Sequence, residues 1–139
     1  MVLMPIPQRS IAKVVEQASR QMHDPKYISG EVDRFICDQS AISQLVIAAS
    51  NELTVEGVVM VLFHAALMSH SMKQAGTAPR LVTIRDLEQA GRTTPSVEVL
   101  ADDEPDLASY IASNVEPSPG FDADLARLLL ARVARAMVG

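Results

Sequence analysis

The sequence has a single cysteine, no tryptophan and only 4% aromatic residues. With Cys37 alone, an internal disulfide is excluded, and a reducing compartment is the simple expectation. A β-sandwich core draws heavily on aromatic and β-branched side chains, so the scarcity of rings points instead to an aliphatic, methionine-rich core of packed helices. Positive charge is also short. Twelve Lys and Arg stand against 17 Asp and Glu, for a net charge of −5. That balance argues against electrostatic capture of nucleic acid or an anionic membrane, unless the fold gathers its basic residues on one face.

Long apolar runs are missing as well. The longest, Val58 to Met68, is interrupted by His64 and falls short of the ~20 residues a spanning helix needs. The opening MVLMPIPQRS has no basic stretch followed by a long apolar one, so no secretory signal is expected. These absences together predict a soluble, cytoplasmic protein without membrane partners. Motifs of chemistry are equally sparse. There is no glycine-rich phosphate loop, no serine nucleophile motif and no metal-ligand spacing. No internal repeat or sustained heptad is visible.

What remains is a chain of 139 residues, 48% of them hydrophobic. That length suits one domain and can bury a core without a disulfide or metal staple. Pro5 and Pro7 hold the start extended. Ile11, Val14, Val15, Ala18 and Met22 then share one face of a helix that ends before Pro25. Ser29 is a suitable cap for a second helix. Val32, Phe35, Ile36, Ile42, Val46, Ala49 and Leu53 recur at helical spacing, which favours one continuous helix to about Leu53.

Thr54 is expected to cap the next helix, and Gly76 to stop it. Between Val58 and Met68 this helix has no polar face, as befits the centre of a domain or a surface covered by a partner. Thr83 and Asp86 resemble a capping box for a short helix ending near Gly91. Residues 92–106 read as an irregular acidic segment, with Val97 and Val99 alternating as in a short extended piece. Pro105 opens another short helix with Leu107, Tyr110 and Ile111 inward. Asn114 to Gly120 form a loop. A final helix from about Phe121 turns Leu125, Leu128, Leu129, Val133 and Ala136 inward. The expected fold is therefore all-α, a single compact bundle of five to six helices around a central apolar helix at about 54–75, spanning residues 1–139 as one domain.

Few residues invite a functional role. Gly57, Met60, Val61, His64, Met68 and Ser71 lie along one seam of the central helix. Small residues, a compact imidazole and adaptable methionines allow another helix or a second subunit to approach closely. The alternative for His64 is a packed histidine bonded to a backbone carbonyl, or a pocket residue. His64 and His70 point about 120° apart around the helix, so they do not form an i, i+4 metal pair. Cys37 has no local catalytic motif and shares its face with Ala41 and Ala48, which predicts a buried structural thiol. The acidic run from Glu98 to Asp106 lacks the turn glycine of a calcium loop. The stretch LVIAASNELTVEGVVMVLF has roughly helix-turn-helix spacing, but its second helix offers almost no side chain to phosphates or base edges.

Arg132 falls within the apolar stripe of the last helix. Its head must reach water or a carboxylate, with the acidic 98–106 region as the expected donor. No catalytic residue, cofactor site or metal ligand is assigned. The favoured functional expectation is a non-enzymatic protein–protein interaction module, a homo-oligomeric regulator or adaptor that acts by self-association or with a protein partner. The alternatives are a DNA-associated transcriptional regulator, marked by a basic face, and a small enzyme or apolar-ligand binder with a pocket near His64.

Overall fold

Two tight helix ends organise the chain around its central apolar helix. The computed structural model describes residues 4–117 and 120–139. Eight helices are present among them: α1 Gln8–Gln21, α2 Tyr27–Asp38, α3 Ser40–Ala48, α4 Ser50–Gln74, α5 Ile84–Thr93, α6 Val97–Asp103, α7 Pro105–Asn114 and α8 Ala123–Val138. The fold is an all-α bundle, as expected, with more helices than five or six.

Helix α4 is the core element. From Val61 to Ser69 every residue is buried, enclosed by α1, α2, α3 and α8. Its 25 residues, with a mean hydropathy of 1.5 in the most apolar window, are enough by length and composition to cross a bilayer. Its middle is buried by the other helices, whereas Val55 and Met60 near its start are exposed.

Local chemistry explains both ends of α4. Thr54 interrupts the regular dihedrals with φ 67 and ψ 166, and its Oγ1 accepts a hydrogen bond from the Gly57 amide at 3.2 Å. It therefore acts as the expected N-cap, and the short turn before it is a separate helical piece running into the kink. Positive φ in a β-branched residue is strained, costing on the order of 1–3 kcal/mol. At the other end Gly76 adopts φ 84. The Thr77 amide reaches the Met72 carbonyl at 2.9 Å and the Gly76 amide reaches the Lys73 carbonyl at 3.0 Å. That paired closure satisfies two carbonyls that the helix end would otherwise strand.

Several expectations need correction. The second helix starts at Tyr27, ahead of Ser29, and it does not run on to Leu53. It breaks at Gln39, because the buried Gln39 side chain holds a distant segment. Its Nε2 donates to the Arg80 carbonyl at 2.6 Å, and its Oε1 accepts from the Val82 amide at 3.0 Å. One amide thus pairs a carbonyl and an N–H of an extended stretch, whose Arg80 amide donates to the Met137 carbonyl at 2.9 Å. Residues 92–106 are not irregular. Ser96 caps α6 by accepting from the Val99 amide at 3.2 Å, and this cap overrides the valine alternation that had suggested an extended piece. The residue before Pro105 is kept out of helical geometry, so α6 stops and α7 begins anew. Of the Asn114–Gly120 loop, Ser118 and Pro119 lie outside the described residues.

The last helix begins at Ala123, capped by Asp122, whose Oδ1 accepts from the Leu125 amide at 3.0 Å. Leu129, Val133 and Ala136 face inward, but Leu128 is exposed and Leu125 half-buried. The inward face is rotated toward Ala126, Leu130, Ala134 and Met137. Small alanines there let α8 approach α4 closely.

The N-terminal segment is fastened by acidic residues. Ile6 is buried and its amide donates to Glu104 Oε1 at 2.8 Å, while the Gln8 amide donates to Asp106 Oδ2 at 3.1 Å. Arg132 does not meet a carboxylate. Its Nε is buried without a hydrogen-bond partner among the described residues, and its guanidinium lies so close over Gly91 that a Cβ there would sit 2.6 Å from Nη2. The anchoring expected of Arg132 falls instead to Arg135, one turn on. Arg135 pairs with Asp103 at 2.6 Å and donates to Thr94 Oγ1 at 2.9 Å, tying the ends of α5 and α6 to α8.

Candidate functional site

A cavity of about 260 Å³ opens beside the first half of α4. Gly57, Met60, Val61 and His64 form one wall. They follow the i, i+3, i+4, i+7 rhythm of a single helical stripe, so they are the upper part of the seam visible in the sequence. The opposite wall comes from Asn114 and Val115 at the end of α7 and from Phe121 just before α8. Glu56 and Glu116 add two carboxylates to the lining. The strained Thr54 sits at one end.

The seam residues therefore have different fates. Val61, Met68 and Ser71 are buried within the chain, and the Ser71 hydroxyl donates to the Leu67 carbonyl at 2.9 Å. Gly57 is covered by Phe121, whose ring would lie 2.9 Å from a Cβ added there. Only Met60 is substantially exposed, at 41%. The stripe faces intrachain partners and a cavity over most of its length, which is why its small residues read like a contact surface.

His64 is the chemical centre. It is 9% exposed, and its Nδ1 lies 2.8 Å from the Tyr110 hydroxyl, with the rings edge-to-face at 5.7 Å between centroids. Nε2 has no hydrogen-bond partner among the described residues and no contact with solvent. Burial pushes the imidazole pKa below its ordinary value, so the ring is neutral near pH 7. Burial pushes the Tyr110 phenol upward, so it keeps its proton.

The direction of this hydrogen bond follows the histidine tautomer, and either arrangement leaves one donor and one acceptor of the pair without a partner among the described residues. The pair thus contains a neutral histidine with one ring nitrogen unpaired among the described residues.

A second polar cluster lies between α1, α2 and α4. His70 Nε2 is 2.7 Å from Glu31 Oε2, and Arg34 donates to Glu31 Oε1. Burial raises the Glu31 pKa, but hydrogen bonds from His70 and Arg34 more than reverse it, and the net shift is downward. Glu31 is therefore a structural carboxylate tying α2 to α4. Cys37 is exposed, contrary to the expected buried thiol, because α2 turns Glu31, Val32 and Phe35 inward and Cys37 lies off that face. Among the described residues, no group of three or more His, Cys, Asp and Glu is placed to hold a metal ion.

Sequence reading singled out His64 but not Tyr110 or Phe121. Tyr110 is 46 positions away on a separate helix, and Phe121 belongs to the turn before α8. The only signal for either was that each is one of five Phe and Tyr residues in a chain short of aromatics. Comparison with protein-family models, with curated proteins and with solved structures gives no match.

Proposed function

We propose that this chain is a non-enzymatic binding module whose recognition site is the His64 cavity, taking a small, predominantly apolar molecule. The observation that carries this reading is the cavity itself, walled by a continuous stripe of the most buried helix. Its lining mixes apolar residues (Met60, Val61, Val115, Phe121) with polar ones (Thr54, Glu56, His64, Asn114, Glu116), and it is just below the usual size of a ligand pocket, roughly 300–1,000 Å³. Its volume equals about nine waters at ~30 Å³ each, so the ligand is of single-ring size. Catalysis is disfavoured because His64 has only a phenol beside it. No nucleophile or carboxylate is hydrogen-bonded to the ring, and a general base needs such partners.

Titration with small ring compounds, followed through the side-chain methyl signals of Met60 and Val61, tests the reading. Saturable shifts confined to the cavity wall, with a Kd below about 1 mM, are expected. Absence of saturable shifts for every compound would reject it.

A second reading, self-association, is favoured by one observation. Val55 is 78% exposed and Met60 41%, at the same end of α4, with Ile47 also exposed nearby in sequence. A second copy meeting this end would bring Glu52 and Glu56 of both chains together. Such a dimer would tighten as added salt screens the like charges. Sedimentation at micromolar concentration across a salt series checks this, and a monomer at every salt concentration rejects it.

A further inference from the structure

The charged side chains lining the cavity are all of one sign, and that narrows the class of molecule it takes. Resting on the binding-module reading, we infer that the ligand is a small organic cation, a single ring bearing an ammonium group, with the charge held by Glu56 and Glu116.

Three observations lead there. First, the lining has two carboxylates and no Lys or Arg. Its one histidine is neutral, because burial holds the His64 pKa below the ordinary value. Second, the carboxylates come from opposite walls and are not already neutralised. Glu56 stands in the first turn of α4 after the Thr54 kink, and Glu116 follows the end of α7. Neither has an ion-pair partner among the described residues. Third, the remaining surface suits the rest of such a molecule. Met60, Val61, Val115 and Phe121 supply apolar lining, and an aromatic ring is itself an attractive neighbour for a cation.

Two positive groups lie near, and neither cancels this charge. The start of a helix carries roughly half a positive charge, which the full charge of Glu56 offsets, leaving Glu116. Arg127 donates to the Val115 carbonyl at 2.6 Å. Its ion pair, however, is with Asp124 at 3.7 Å, and it lines a separate cavity with Ser96 and Asp124. The lining therefore repels an anion and gives a neutral ring no electrostatic gain. Both carboxylates belong to exposed residues, so a cation reaches them without any buried atom having to open. The same exposure makes the attraction sensitive to salt, a property that apolar packing of a neutral ring lacks.

The experiment titrates benzylamine, benzyl alcohol and benzoate against the full chain at neutral pH, read from the methyl signals of Met60 and Val61. The three share a ring and differ in charge, benzylamine being an ammonium ion there. Benzylamine is expected to bind about tenfold more tightly than either of the others at low salt. That advantage should shrink severalfold between about 0.01 M and about 0.5 M salt. Glu56→Gln and Glu116→Gln should each weaken benzylamine severalfold and leave benzyl alcohol unchanged, which also shows that the cavity is intact. The salt series on the unaltered chain decides the matter if a variant fails to fold. Benzyl alcohol or benzoate binding as tightly as benzylamine overturns the inference while the binding-module reading stands. So does a benzylamine affinity that neither salt nor the two substitutions move. If none of the three compounds binds, the cavity reading itself falls and the inference falls with it.

Discussion

Removing the Tyr110 hydroxyl is the most informative perturbation of stability. In Tyr110→Phe the ring packing is kept and one oxygen is lost. His64 Nδ1, 2.8 Å away, is then left in a buried site without a partner, and Nε2 already has none. A buried polar atom stranded this way costs about 1–3 kcal/mol. At roughly 3–5 °C per kcal/mol for a chain of this size, the melting temperature should fall by about 3–15 °C. His64→Leu removes both nitrogens, including the one that is unsatisfied, and strands only the phenol hydroxyl. Its cost should be smaller. The double variant replaces every polar atom of the pair by apolar surface and should be more stable than the sum of the single effects predicts. Urea melts of all four proteins give a coupling free energy. We expect about 1–3 kcal/mol. Strict additivity would refute the claim that Tyr110 and His64 act as a buried pair.

The same geometry bears on pH and on the ion pairs. His64 has its pKa lowered by burial, so the unfolded chain takes up its proton first as pH falls. Stability should be fully present above about pH 6.5 and decline as pH drops toward the lower folded value; His64→Leu should flatten that part of a pH–melt series. Glu104 is 4% exposed, and burial raises its pKa despite the hydrogen bond from the Ile6 amide. Its stabilising contribution is complete below the unfolded value near 4.3 and lost as pH rises through the folded one. Glu104→Gln keeps an acceptor for Ile6 and should raise the melting temperature at pH 7, with the gain vanishing near pH 4. Arg132→Met should leave stability unchanged or improved, because no carboxylate is orphaned. Arg135→Met should cost about 1 kcal/mol by releasing Asp103 and Thr94. Equal denaturation midpoints for these two variants would contradict the assignment of the anchor to Arg135.

Helix chemistry that is local in the chain was legible in the sequence. Thr54 as a cap, Gly76 as a stop, the Thr83–Asp86 capping box and Pro105 at a helix start all depend on groups within a few residues of each other. The structure has each of them, including both capping-box bonds at 3.1 and 2.9 Å. The central place of α4 was legible too, since a helix without a polar face has to be covered. The stripe Gly57–Met60–Val61–His64 was identified by spacing alone, and it does line the candidate site.

Tertiary structure decided the rest, because the determining partners lie far along the chain. Periodicity carries Val32 through Leu53 as one helix, yet Gln39 breaks it to hold Arg80 and Val82. Alternation made 96–99 look extended, yet the Ser96 cap and burial of Leu100 make it helical. A one-turn difference along α8 gave Asp103 to Arg135 and left Arg132 lying on Gly91. Most consequentially, sequence placed His64 on an apolar helix but could not say what its two nitrogens would meet. The fold brings Tyr110 to one of them and leaves the other with none, because imidazole partners are set by the packing of α7 on the bundle and not by helical spacing.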